Sequence, residues 1–380
     1  MPGQETLDDE RLTMTRWFRF TYPAHPAHPA RMARLICAAA VLFALCVAPR
    51  AAQAQLTPQP AATAQPDTYP AVTFGTQAFL QYSADLHEAE GFNAFDVTRG
   101  FLDIRATMSP RIHFRFTPDV RPVRDADLST NLVLRLAYAS LQADINKTTA
   151  VYFGMHDTPW LSFEQSIDRY RVQGPMFAER EGLIPSQTDL GASLTSTFGP
   201  AELHVGVYNG EGSGRQEVDK YKSVQARGTV RPVGDTNSIL HGLRLSGFYS
   251  HGWYARDRPR NVAIAMASYE HPHVVATAQY LSASDNPFVA DTLNRRGLSF
   301  FGEVRQGVTG WAGLARIDRY DPNSSNDYAY DATRRFTFGG ARWNQVGQGR
   351  IGIVGSFELK RSDDGQSLEK RLLAQTHVEF

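Results

Sequence analysis

The chain has 380 residues, 39 basic and 39 acidic side chains, a formal net charge of +0 and two cysteines. That balance offers no basic stripe for nucleic acid. Both cysteines, Cys37 and Cys46, lie in one N-terminal apolar run, so the rest of the chain has no disulfide scaffold, thiolate metal site or thiol nucleophile.

Residues 35–47, LICAAAVLFALCV, follow Arg31 and Arg34 and precede Ala52-Gln53-Ala54. A basic n-region, a short h-region and an A-x-A site predict a secretory signal over 32–54, cleaved after Ala54 with Ala52 at the other small position. The run is too short for a membrane-spanning helix. Met32 opens a well-formed signal, so residues 1–31, with PAHPAHPA at 23–30, are expected to be an upstream extension outside the mature protein. Ile36 and Leu45 precede the cysteines, which argues against lipoprotein attachment. Removing 1–54 takes six basic and four acidic residues and leaves 33 and 35, net −2. Residues 55–70 are rich in Pro, Ala and Gln and predict a flexible leader.

From 71 to 380 the chain repeats one unit, about ten residues of period-two alternation followed by a turn. Sixteen strands are predicted, at 72–83, 99–108, 111–118, 131–143, 148–156, 188–198, 201–209, 220–231, 238–250, 260–270, 273–283, 295–306, 310–320, 332–343, 350–361 and 370–380. The connections alternate. Tight ones such as Ser109-Pro110, Gly199-Pro200 and His271-Pro272 are interleaved with mostly longer polar ones such as 84–98, 119–130, 157–187 and 321–331. Short turns on one side and long loops on the other predict an all-β transmembrane antiparallel barrel, with periplasmic turns and extracellular loops. A soluble sandwich has no reason to alternate loop length.

The faces follow by parity. Leu102, Ile104, Ala106 and Met108 oppose Asp103, Arg105 and Thr107, and Val224, Ala226, Gly228 and Val230 oppose Gln225, Arg227, Thr229 and Arg231. The apolar set is expected to face lipid and the polar set a wet interior, because an Arg or Lys facing lipid at mid-membrane costs about 2–4 kcal/mol. Tyr82, Tyr208, Tyr249, Tyr280, Tyr320 and Trp311 sit near strand ends and suit interfacial girdles. At Phe338-Gly339-Gly340 the alternation weakens, Arg342 and Trp343 fall out of phase, and a bulge or bend is predicted. The last nine residues, LLAQTHVEF, put Val378, Thr376, Ala374 and Leu372 on one face and end on Phe380. A barrel in lipid can have no free edge, and this ending resembles the C-terminal signal of bacterial outer-membrane proteins. The resemblance implies that Phe380, Val378 and Thr376 present the chain to the barrel-assembly machinery.

By the same parity, Arg105, Arg115, Arg135, Arg227, Arg231, Arg244, Arg305, Arg316, Arg335 and Arg371 point inward, against Asp103, Glu202, Glu303, Asp318, Glu358 and Glu379. Arginine rings favour anions in a narrow pore; equally, lumen arginines can pair with neighbouring carboxylates and only hold the wall. The longest loop, 157–187, is rich in aromatics and charges and predicts a helical turn around Ser162–Arg169. Folded inward it would constrict the lumen with Glu164, Asp168, Arg169, Arg171, Glu179, Arg180 and Glu181; folded outward it would be a cap or an oligomer contact.

Thr158-Pro159-Trp160 with Glu164 and Tyr170-Arg171, then Tyr208-Asn209-Gly210-Glu211-Gly212, then Asp318-Arg319-Tyr320-Asp321-Pro322-Asn323, in this order and spacing and with the terminal Phe380, resemble the phosphate-selective porin family over about 72–380. The resemblance implies a sixteen-stranded barrel, a homotrimer and inward-folded loops, set among outer-membrane lipid and lipopolysaccharide and passing small hydrophilic or anionic solutes without a cofactor. Family members that select phosphate use lysine- and arginine-lined paths, whereas after residue 54 the lysines here are Lys147, Lys220, Lys222, Lys360 and Lys370.

Two smaller constellations are read as local structure. His271-Pro272-His273 has metal-site residue types but falls in a tight turn with no third ligand in view. Asp321, Asn323, Asn326, Asp327 and Asp331 carry oxygens suited to calcium, without EF-hand spacing. No G-x-S-x-G is present and Ser and His are scattered, so no catalytic site is predicted.

Overall fold

The structure, a computed structural model, describes residues 68–380 apart from 87–90, 125–129, 218–219, 256–257, 288–291, 326–331, 364 and 366–367. The upstream extension, the signal with Ala52 and Ala54, and residues 55–67 of the leader lie outside the described residues, as do Asn326, Asp327 and Asp331.

Sixteen strands form one closed barrel: β1 (Ala71–Asp85), β2 (Asn93–Ser109), β3 (Ile112–Arg124), β4 (Thr130–Asp144), β5 (Thr149–Asp157), β6 (Thr188–Phe198), β7 (Ala201–Tyr208), β8 (Ser223–Val230), β9 (Leu243–Ala255), β10 (Arg258–His271), β11 (Val274–Asp285), β12 (Leu293–Arg305), β13 (Gly310–Asp321), β14 (Thr333–Val346), β15 (Gly349–Ser362) and β16 (Leu368–Glu379). Each pairs antiparallel with its neighbours in sequence, and β1 pairs with β16 to close the ring. Each of the sixteen predicted segments overlaps one of the sixteen strands, most of which run a few residues further toward the long loops. Residues 239–242, expected in the ninth strand, instead form a 3-10 turn, and β8 begins at Ser223 rather than at 220. At the seam Phe380 completes the ladder: Thr76 N donates to Phe380 O at 2.8 Å and Phe380 N donates to Thr76 O at 3.1 Å. Val378 and Thr376 stand opposite Ala78 and Leu80.

Of the bulge or bend expected in β14, the bulge is absent. The strand's register with β13 and β15 is unbroken, Trp343 faces inward and is fully buried, and Arg342 faces outward with its guanidinium 5.1 Å from the Trp311 ring. Both fit because Gly352, opposite Trp343, has no side chain; a Cβ there would lie 2.6 Å from the indole. The register shifts fall instead at Phe79/Leu80, Thr107/Ser109, Thr117/Pro118 and Arg258/Pro259. The Pro118 shift matters most. It sets Tyr138 opposite Thr117 and Arg135 opposite Asp119, so both side chains turn inward although their numbers differ in parity.

Outward positions are apolar, as in Phe74, Phe95, Leu132, Leu134 and Phe153. The interior is not uniformly polar, and this corrects the expectation of a wet inner face. Val262, Ile264, Met266, Val275, Leu281, Phe301 and Leu314 face inward and are buried, while Ala263, Ala265 and Ala267 take the outer face of β10. Tyr208 and Tyr320 also point inward and are buried, whereas Tyr249, Tyr280 and Trp311 lie on the outer surface. Half of the barrel wall thus carries an apolar lining that must be covered from inside.

Gly352→Ala is expected to destabilise the barrel by about 1–3 kcal/mol, because its methyl would enter the space of the Trp343 ring. Gly355→Ala, where a Cβ meets open space, is expected to be near neutral. Urea unfolding in lipid vesicles measures both.

Candidate functional site

The cover is the segment 158–187 between β5 and β6, folded into the barrel. It carries α1 (Leu161–Ile167), a 3-10 turn (Arg171–Gln173) and α2 (Phe177–Arg180). Neither helix would be stable alone; they stand because their apolar faces meet the apolar half of the wall. Trp160 packs on Phe248 with ring centroids 5.7 Å apart, and Tyr170 lies 6.1 Å from both Phe301 and Trp343. Phe177 meets Tyr320 edge-on and sits over Gly297, where a Cβ would lie 2.5 Å from the ring.

Ion pairs and backbone acceptors bolt the loop in place. Arg169 donates to Glu303 at 2.5 and 2.9 Å and to Val308 O at 2.7 Å, and Tyr170 OH donates to the same carboxylate at 2.6 Å. Arg180 pairs with Asp318, Arg316 reaches Asp318 at 3.1 Å, and Arg316 lies 3.6 Å from Asp168. From the wall, Arg227 donates to Pro159 O at 2.9 Å and Gln375 to Val172 O at 2.7 Å. Arg171 and Glu179 form a bidentate pair within the loop at 2.6 and 2.8 Å, and Glu181 stands 3.6 Å from Arg180. Glu164 is buried and accepts from Trp160 Nε1 at 3.1 Å. Burial raises its carboxyl to about 7 against the pull of Arg316, and burial also raises Asp168 and Glu181 and lowers Arg180.

The inward arginines fall into two groups. Arg316 lies beneath the loop, and Arg305 donates to Glu303 at 3.2 Å and to turn carbonyls. Arg227 and Arg231 share Glu202 at 3.6 and 3.2 Å, Arg244 pairs with Glu270, Arg335 with Glu358 at 2.5 Å, and Arg371 with Asp85 at 2.9 Å. These seven are tied into the wall or under the loop.

The second group stands on β2–β4. Asp103 receives Arg105 and Arg115, each at 2.7 Å, and Asp119 receives Arg99 at 2.8 Å and Arg121 at 2.6 Å. Arg115 lies 3.4 Å from the Tyr138 ring centroid, and Arg135 stands opposite Asp119. Four guanidiniums thus share these two carboxylates, and the Arg105 side chain is 61% exposed although it points inward, which requires open volume beside it. A cavity of about 920 Å³ of mixed charge continues this surface, bounded by Asp119, Arg121 and Arg135 on the wall, by Glu179, Leu183 and Ile184 on the loop, and by Glu211, Arg215, Arg260 and Trp253. Arg99 and Arg121 were not among the residues expected from sequence. Arg121 is in phase with Arg115 but lies beyond the predicted third strand, 111–118, and Arg99 is the first residue of the predicted second.

His271 and His273 do turn chemistry: His273 N donates to His271 Nδ1 at 3.2 Å. Among the described residues no group of three or more metal-ligating side chains converges.

No protein-family model matches the chain and no curated protein matches it in sequence. Solved structures match in shape. An anion-selective porin from Comamonas acidovorans superposes with a TM-score of 0.60 at 10% identity, covering 82% of this chain and 99% of that one. OmpT of Vibrio cholerae in a trimer form gives 0.56 at 9% identity, with 82% and 99% coverage. A mutant of the Rh. blastica porin gives 0.50 at 12% identity, with 82% and 100% coverage. What is shared is the fold, the closed antiparallel outer-membrane-type barrel.

Two outcomes are expected. Asp318→Asn leaves two buried guanidiniums short of a carboxylate and is expected to cost about 3–5 kcal/mol, with faster trypsin cleavage inside 158–187. For Glu164 the folded carboxyl titrates higher than the unfolded one, so the folded state holds the extra proton and stability falls as pH rises from about 4.5 to about 7. Glu164→Gln is expected to remove that part of the slope in urea unfolding measured at pH 5 and pH 8.

Proposed function

We propose that the chain is a bacterial outer-membrane porin, passing small hydrophilic solutes by passive diffusion with a preference for anions. The observation that carries the reading is the β2–β4 surface, where Arg99 and Arg121 crowd onto Asp119, Arg105 and Arg115 onto Asp103, Arg135 stands opposite Asp119, and Arg105 is open to the lumen. The pinned loop covers the apolar half of the interior and leaves the charged half to line the path. Selectivity then comes from path width and from the fixed field of the guanidiniums that share Asp103 and Asp119, with no bond made or broken and no cofactor. Arg99, Arg105, Arg115, Arg121, Arg135, Asp103 and Asp119 are the proposed pore-lining set. Arg227, Arg231, Arg244, Arg305, Arg316 and Arg335, with Glu202, Glu303 and Asp318, are proposed to brace the wall and the loop.

Outer-membrane placement is supported by the fold and by the secretory signal read over 32–54. Assembly through the Phe380 strand and a homotrimer in lipopolysaccharide-rich membrane belong to the same reading. A phosphate preference fits the arginine surface as well as any small anion does, and phosphate against chloride permeability measures it.

Neutralising Arg105, Arg115 and Arg135 together to Gln is expected to move the reversal potential under a KCl gradient toward cation preference. An unchanged reversal potential in a conducting variant would take these residues off the permeation path.

A further inference from the structure

A second arginine group faces the opposite way, toward lipid. Arg319, Arg334 and Arg361 are direct register partners on β13, β14 and β15, so their side chains leave the barrel at one level. They share the outer face with Ile317, Phe336 and Phe338, which are exposed. Arg296 of β12 extends the row beside Asp321, and Lys370 of β16 stands one rung lower, opposite Leu359. All lie at the strand ends that lead into the long loops.

Like charges directly opposite on neighbouring strands, roughly 5 Å apart, repel. Among the described residues two carboxylates face the four arginines of this row: Asp363, at 2.9 Å from Arg334 and 3.8 Å from Arg319, and Asp321, directly opposite Arg296. Arg319 and Arg334 remain 56% and 46% exposed. Such a row is stabilised by an anion that spans several guanidiniums, and the planar fork of arginine matches phosphate oxygens in pairs. The chemistry one rung below identifies the carrier. Ile317, Phe336 and Leu359 are in register directly under the arginines, followed by Ala315, Phe338 and Phe357. An anion held here has an apolar surface immediately beneath it, which suits a phosphate with acyl chains attached and gives a free anion nothing further to bind.

We propose that the outer face of β12–β16 is a binding site for a phosphorylated lipid of the outer leaflet, its phosphate on Arg319, Arg334 and Arg361 and its acyl chains along Ile317, Phe336 and Leu359. The proposal rests on the outer-membrane reading above and is independent of the lumen arginines, which point the other way.

The test is native mass spectrometry of the refolded barrel in detergent micelles with diphosphoryl lipid A, the same lipid stripped of its phosphates, or inorganic phosphate. Wild type is expected to retain diphosphoryl lipid A and to lose about tenfold or more in affinity when the phosphates are removed; that comparison needs no variant. Arg319→Gln/Arg334→Gln/Arg361→Gln is expected to lose the same factor while keeping its heat-modifiable gel mobility. Equal binding of the phosphate-free lipid, an unaltered affinity in the folded variant, or inorganic phosphate binding as tightly as the lipid would each overturn the site. Single-channel recording on the same preparation separates the two readings. A conducting barrel indifferent to the lipid phosphates overturns the lipid site alone, and lipid capture by a barrel that passes no current supports the lipid site and overturns the channel.

Discussion

Everything in this molecule follows from closing the sheet between Thr76 and Phe380. A strand edge left open in hydrocarbon would carry unpaired N–H and C=O groups at several kcal/mol each. The mutual hydrogen bonds at that seam remove the edge, and once the ring is shut every side chain is assigned to lipid or lumen by parity. The assignment holds through unbroken registers such as β14 against β15 and is reset at a few shifts, of which the one at Pro118 puts Arg135 beside Asp119.

Closure creates an interior, and the interior is divided. On β2–β4 it is charged and open; on β9–β15 it is apolar and roofed by the loop after β5. The roof combines two kinds of interaction with different roles. Stacking of Trp160, Tyr170 and Phe177 on the wall supplies the burial that short helices cannot supply themselves. The Arg169–Glu303 and Arg180–Asp318–Arg316 contacts add little net energy beyond their own desolvation, but they specify one seat for the loop, since any other would strand a buried charge. The same residue type thus does different work on the two sides: under the loop the arginines are sealed in with their carboxylates, and across from it Arg105 stands open.

The fold was legible because its signal is periodic and local. Alternation and the short–long rhythm of the loops marked every strand, and LLAQTHVEF marked the seam. The loop's entry into the lumen was legible as one of two options, from its length and its aromatics. What escaped depended on partners far along the chain. Arg316 and Arg105 look alike in sequence, yet one is sealed between Asp168 and Asp318 and the other is open. Val262, Ile264 and Met266 could not be assigned to the inside because the alanines between them are apolar as well. Arg342-Trp343 read as a break in phase because the vacancy that admits the indole is Gly352, on the next strand.

The central claim is that the charged half of the lumen remains an open, anion-favouring path beside the pinned loop. The measurement that tests it most directly is single-channel recording of refolded Gln55–Phe380 in a planar bilayer under a KCl gradient. The account predicts stepwise conductance with a reversal potential of the sign that chloride carries. A folded barrel that passes no current, or one whose reversal potential has the sign of potassium, would contradict it.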